Sequence, residues 1–178
     1  MKNFDSLYYE KRLFISWRAQ IVVDAILKAF PDLKLVYDIG CSVGEFVEEF
    51  KKRGISALGY EISKAVLDHL ICSPRDIIFR DWSARYVKGL PPKADLLLFF
   101  EVAPFLTEHQ QRTMAMNLSR MAKVILTTSE GSCGKYFLEK GMVEDAEASK
   151  LVTSDLEKWR GKPAVKSIYH ALRCYRKE

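Results

Sequence analysis

Two short stretches restrict the folds open to this chain more than any others. Residues 36–46 read Val-Tyr-Asp-Ile-Gly-Cys-Ser-Val-Gly-Glu-Phe, and residues 59–63 read Gly-Tyr-Glu-Ile-Ser. The first is an apolar, β-branched run that ends in an acid, Asp38, and gives way to small residues at alternate positions, Gly40, Ser42 and Gly44. Gly40 permits a tight turn, and Gly44 lets the next helix begin close to a sheet and to a ligand. Phe46, Val47 and Phe50 then share one side of a helix that ends near Gly54. Glu61 closes the second run, and a carboxylate at the end of a second strand can accept both hydroxyls of a ribose. The pattern is that of a nucleoside bound beyond the carboxyl ends of parallel strands, where the chain order reverses.

A dinucleotide fingerprint does not fit. Counted from Gly40, a G-x-G-x-x-G motif requires glycine at positions 42 and 45, which are Ser42 and Glu45. Glu45 also puts negative charge where a pyrophosphate belongs.

The rest of the chain alternates strand and helix. Residues 6–30 read as one helix, with Phe14, Trp17, Ile21 and Leu27 on its apolar side, Arg18 and Asp24 off it, and Pro31 at its end. Strands are predicted at 33–39, 55–60, 76–80, 94–102 and 123–129, the fourth nearly all apolar. Ser63 caps a helix over 64–70, and another helix runs over 108–121. Gly131, Gly134 and Gly141 break up the next segment. A helix over 145–159 follows, with Ser154 and Glu157 at capping-box spacing, and a closing antiparallel strand over 165–175. This predicts an α/β, Rossmann-like, doubly wound sheet, mostly parallel with an antiparallel C-terminal strand, in three αβα layers.

The stretch from Asp38 to Gly44 resembles the first motif of the class I S-adenosylmethionine-dependent methyltransferases, with Ser42 in place of the middle glycine. The resemblance spans most of the chain and points to the small, single-domain, small-molecule-type subgroup. It implies S-adenosylmethionine as cofactor, Glu61 as the ribose acid, and Asp81 and Trp82 as the adenine contacts. It implies a cofactor contact for Asp38, direct or through water, and a lining role for Gly40, Cys41, Ser42, Gly44, Ile62 and Phe100. Residues 95–102, Asp-Leu-Leu-Leu-Phe-Phe-Glu-Val, resemble the fourth-strand motif that closes the site, and Lys-Gly-Met at 140–142 resembles the subgroup's tail. Where that subgroup often has Glu-Val-x-x-His-Leu, this chain has Phe105 for the histidine.

Glu101, at the end of the fourth strand, is the first candidate for a catalytic base, and His109 the second. His69 reads as a surface residue, His170 as a packing group on the last strand, and Tyr8, Tyr9 and Arg12 as one side of an amphipathic helix or as a lid. No Asn/Asp-Pro-Pro-Tyr string follows the fourth strand and no Pro-Cys pair occurs, so the acceptor is expected to be an oxygen or nitrogen of a small molecule. An RNA or DNA acceptor reached along a basic C-terminal edge is the second reading, and a partner-binding protein without catalysis the third.

At 178 residues and a net charge of +5, the chain is expected to form one domain: an N-terminal helical lid (1–30), a cofactor core (31–130) and a substrate-side segment (131–178). Its four cysteines lack paired close spacings, which disfavours a structural zinc site. With no signal peptide and no long apolar run, a reduced cytoplasmic protein without a membrane span is expected, as a monomer or homodimer.

Overall fold

The computed structural model describes residues 6–83, 89–128, 132–159, 161–163, 165–166, 168 and 172–177. In chain order the elements are α1 (Ser6–Leu13), α2 (Arg18–Ala29), β1 (Leu35–Ile39), α3 (Glu45–Lys52), β2 (Ser56–Glu61), β3 (Ile77–Phe79) and β4 (Ala94–Phe99). They continue with α4 (Glu108–Leu118), β5 (Ala122–Thr127), α5 (Ser132–Glu139), β6 (Met142–Glu144), α6 (Ala146–Leu156) and β7 (Arg173–Lys177). Among the described residues the strands form one seven-stranded sheet, ordered β3-β2-β1-β4-β5-β7-β6. β1 through β5 pair in parallel, and β7 runs antiparallel to both β5 and β6. The doubly wound α/β sheet and its antiparallel closing strand therefore stand as read.

Alternation along the strands builds the three layers. Val36, Leu96, Leu98, Leu126 and Cys174 are buried with Val22, Ile26, Phe46, Phe50 and Val152, on the side of α2, α3 and α6. Tyr37, Leu97, Phe99, Ile125 and Tyr175 are buried with Met114, Leu118, Tyr136 and Phe137, on the side of α4 and α5. β4 is thus covered on both faces, which accounts for its nearly unbroken apolar sequence.

Several boundaries differ from the sequence reading. The first helix is two: residues 14–17 form a turn between α1 and α2. Phe14 is 82% exposed and Trp17 44%, while Arg18 is 1% exposed. The buried stripe of α2 is Arg18, Val22 and Ala25 with Ala19, Val23 and Ile26, so the apolar side read from Phe14 and Trp17 lay on the wrong phase. Residues Lys64–His69 are a 3₁₀ rather than an α-helix, though Ser63 does cap them, accepting from Ala65 N–H. The capping box lies at Thr107 and Gln110 on α4, not at Ser154 and Glu157. Ser154 sits inside α6 and donates to Leu151 O, and Asp145 caps that helix. The closing strand does not begin at 165: residues 163, 165, 166 and 168 are helical. Val165 and Ile168, three apart, both enter the core. β6 had no counterpart in the sequence reading. His170 lies outside the described residues.

Candidate cofactor site

The site begins at the carboxyl end of β1. Gly40, Ser42 and Gly44 all have positive φ, at 73°, 51° and 80°. The alternation of small residues therefore encodes three left-handed backbone positions, and Ser42 adopts one without being glycine. Close approach adds a second constraint. A Cβ on Gly40 would lie 2.4 Å from Val102 Cγ2, and one on Gly44 would lie 2.3 Å from Cys72 Sγ. Gly44→Ala is expected to cost about 2 kcal/mol, from left-handed strain plus overpacking. Gly54→Ala is the control, because Gly54 has φ +78° but nothing within 4 Å of its would-be Cβ. It is expected to cost about 1 kcal/mol. Equal losses in urea melts would refute the close approach.

Glu61, at the end of β2, ties this loop to its own turn. Its Oε2 accepts from Ser42 N–H at 3.1 Å, and its Oε1 from Ile62 N–H at 2.7 Å and Ser63 N–H at 3.1 Å. Tyr60 O accepts from Gly40 N–H and Cys41 N–H at 2.8 and 3.2 Å. The ends of β1 and β2 are thereby held as one frame.

Beside that frame lies a groove enclosing about 510 Å³ of empty space, its open mouth included. Gly40, Glu61, Asp81, Trp82, Val102 and Phe105 are among the residues that line it. Trp82 is buried, meets Tyr60 edge-on at 5.3 Å, and has the Arg80 guanidinium 5.0 Å from its ring centre. Its carbonyl accepts from Asn117 Nδ2 at 2.8 Å, while its indole N–H is buried without a partner among the described residues. Asp81 is exposed and turns the chain, its Oδ1 accepting from Ser83 N–H and Oγ–H. Phe105 is part of the groove wall.

The end near β4 is charged. Glu101 has φ 59°, and its N–H donates to Thr128 Oγ1 at 2.7 Å. Its Oε2 accepts from Arg12 at 3.0 Å and from Arg18 at 2.8 Å. Glu45 Oε1 accepts from the same two guanidiniums, at 3.0 and 3.3 Å. Glu45 and Arg18 are each 1% exposed, and Glu101 is 28%. The sequence reading missed this four-residue network. Its visible signal was an arginine, Arg18, falling on the same helical stripe as Val22 and Ala25.

Asp38 is buried near this network, and its Oδ2 has no partner among the described residues. Burial pushes its carboxyl well above the usual carboxylate range, with Glu45 adding to the rise and Arg12 and Arg18 opposing it. The folded chain therefore holds this proton more tightly than the unfolded one. The stability it contributes is full at acid pH and is lost as pH rises through the folded value. Asp38→Asn is expected to raise the melting temperature at about pH 7, with the gain closing toward about pH 4. A gain that widens toward acid pH would contradict this.

Other candidates fall elsewhere. His109 is exposed on the first turn of α4 and is not among the groove-lining residues. Phe100 packs edge-on against Phe46 at 5.5 Å, on the α2 and α3 side of the sheet. Cys41 is buried, with its sulfur against Gly59. Ile62 is partly exposed and lines the groove. His69 is half-buried beside α1, in an exposed bond to Ser6 Oγ at 2.7 Å and stacked on Tyr9. Among the described residues there is no cluster of three metal-ligating side chains, and no helix is long and apolar enough to cross a membrane.

No protein-family model matches the chain, and no curated protein does. Solved structures do. A TehB-like SAM-dependent methyltransferase from Corynebacterium glutamicum is similar over 97% of this chain and 98% of that one, at 19% identity and a TM-score of 0.63. The chain has the fold of the class I S-adenosylmethionine-dependent methyltransferases. A magnesium protoporphyrin IX methyltransferase from Synechocystis, solved with bound SAM, is similar over 96% of this chain and 84% of that one, at 14% identity and a TM-score of 0.61. The amino pentose methyltransferase CalS10 from Micromonospora echinaspora, also SAM-bound, is 22% identical over 66% of this chain, with a TM-score of 0.52. This methyltransferase-fold chain spans 51% of the length of CalS10 and 59% of DesVI from Streptomyces venezuelae. The fold also occurs in SpnF, a (4+2)-cyclase, at 11% identity and a TM-score of 0.57, so the fold alone does not name a reaction.

Proposed function

We propose that the chain binds S-adenosylmethionine in this groove and transfers its methyl group to an oxygen or nitrogen of a small-molecule acceptor. One observation carries the reading. Glu61, the left-handed loop from Gly40 to Gly44 and the buried Trp82 meet at the carboxyl ends of β1 and β2. There the chain order turns back across β1 to β4, which is where open α/β sheets take their ligands.

The residues fit the cofactor. Trp82 offers an aromatic wall and an N–H without a partner among the described residues, Asp81 a carboxylate at the groove rim, and Glu61 a carboxylate facing the loop. Glu45 keeps a buried oxygen without a partner among the described residues, as an acceptor for an ammonium group. When bound, the cofactor supplies a methyl group on a sulfonium, whose sulfur leaves as a neutral thioether.

The chain's own task is alignment and exclusion of water, which supplies on the order of 7–11 kcal/mol when geometry is well fixed. Glu101 serves this as an anchor. Calorimetric titration of the wild-type chain with S-adenosylhomocysteine tests the reading, with binding in the micromolar range expected. No heat at high protein and ligand concentrations would reject it.

A further inference from the structure

We propose that the turn between α1 and α2, together with the basic stretch around Trp159, forms a face that lies on an anionic lipid bilayer, with Phe14 and Trp17 entering its interfacial layer. No residue of this face lines the cofactor groove.

The apolar part is the turn at 14–17 and what it meets. Phe14 is 82% exposed and Trp17 44%. The Trp17 and Trp159 rings lie 6.1 Å apart, and both line an open cleft between α2 and α6 that encloses about 1230 Å³, its mouth included. Leu151, one turn before Asp155 on α6, is exposed as well. Single exposed apolar residues need no explanation, but large aromatics three residues apart beside a third ring form a patch. Phe14 does not line the cleft. An occupant that only filled the cleft would leave it in water, although it is the most exposed large apolar side chain among the described residues. A bilayer interface takes Phe14 and Trp17 together, because aromatic rings settle at headgroup level.

The charged part chooses the kind of bilayer. Two acids line the cleft, and both are answered within the chain: Arg53 bonds Asp24 at 2.6 Å and Lys28 bonds Asp155 at 2.5 Å. The lysines after α6 are not. Lys158 is exposed, with its ammonium 5.8 Å from the Trp159 ring centre. Lys162 N–H donates to Trp159 O at 2.8 Å and Lys166 N–H to Lys162 O at 3.0 Å, so these two follow the ring turn by turn. Val165 and Ile168 point into the core, while Lys162 and Lys166 are exposed. None of the three lysines has an ion pair among the described residues. Residues 157–166 carry four basic side chains and one acidic, Glu157. A second copy of the chain would bring this surplus against itself. A neutral bilayer would answer the rings and not the lysines, and a soluble polyanion the lysines and not the rings. An anionic bilayer answers both.

Sedimentation of the full chain with phosphatidylcholine vesicles, pure or carrying about 30% phosphatidylglycerol, tests this. Wild type is expected to bind the anionic vesicles at least about tenfold more strongly, and to lose that preference at about 0.5 M salt. Phe14→Ser is expected to weaken binding about tenfold. Lys158→Gln/Lys162→Gln/Lys166→Gln is expected to bring the two kinds of vesicle level. Thermal melts check that both variants fold, and either variant decides the matter should the other unfold. Absence of wild-type binding, equal binding to both vesicles, or variants that bind as wild type does would each overturn the proposal. So would a dimer seen by sedimentation equilibrium without lipid and abolished by Phe14→Ser, since a second copy would then cover this face.

Discussion

Glu61→Ala is expected to reduce affinity for S-adenosylhomocysteine by at least about a hundredfold, the value of two charge-assisted hydrogen bonds to a ribose. Loss of affinity alone would not identify the contact, because the same carboxylate holds the amides of Ser42, Ile62 and Ser63. Part of the effect would come through a loosened loop. The 2′-deoxy analogue of the ligand separates the two causes. Wild type should bind it about tenfold or more weakly than the parent compound, whereas Glu61→Ala should bind the two alike. A 2′-deoxy penalty that persists in Glu61→Ala would place the ribose elsewhere. A carboxylate has about four acceptor sites, and three are already used by backbone N–H groups. Accepting both hydroxyls therefore requires at least one amide to let go, so the turn at Ile62 and Ser63 is expected to shift on binding.

Arg18→Leu should be among the most destabilising single changes in the chain. It removes the partner that Glu45 and Glu101 share from α2 and leaves Glu45, which is 1% exposed, dependent on Arg12 alone. Breaking a buried ion pair from one side costs about 3–5 kcal/mol. Since Arg12 remains, about 3 kcal/mol is expected, or a fall of about 6–12 °C in melting temperature for a domain of this size. The double variant Arg18→Leu/Glu45→Leu removes one charge of each sign and leaves Arg12 with Glu101. It should recover at least half of the loss. A double variant no more stable than Arg18→Leu would show that Arg18 acts through packing, for instance over the Phe46 ring 5.7 Å away, and not through its charge.

The sequence revealed what is decided locally. Gly40, Ser42 and Gly44 announce themselves because left-handed backbone leaves few residue types, and Glu61 because a strand-end acid recurs at a fixed place in such sheets. β4 announced itself by being apolar on both faces. The parts that stayed hidden depend on distant partners. Arg18 looks like a solvated charge until Glu45 and Glu101 are brought to it from α3 and β4. The turn at 14–17 carries neither glycine nor proline, so one continuous helical phase ran through it and chose the wrong stripe. Val165 and Ile168 fit a strand or a helix equally well as isolated apolar residues, and only their shared entry into the core decides between them. At the site, the ends of β1 and β2 were legible, but the charge network that ties α1 across it was not.

The order of the sheet bears on how the chain reaches this state. β6 finds its partner in β7, with Met142 paired to Lys177 and Glu144 to Tyr175, and β7 alone joins it to β5. An emerging chain can assemble β1 through β5 from neighbouring segments, but β6 must wait for a strand made after α6. The late half of the sheet then closes as a single event of high sequence separation, the kind of step that slows folding and leaves strand edges open meanwhile. Loss of β7 would leave β6 unpaired and β5 as an exposed edge, so the last strand also guards the chain against edge-to-edge aggregation.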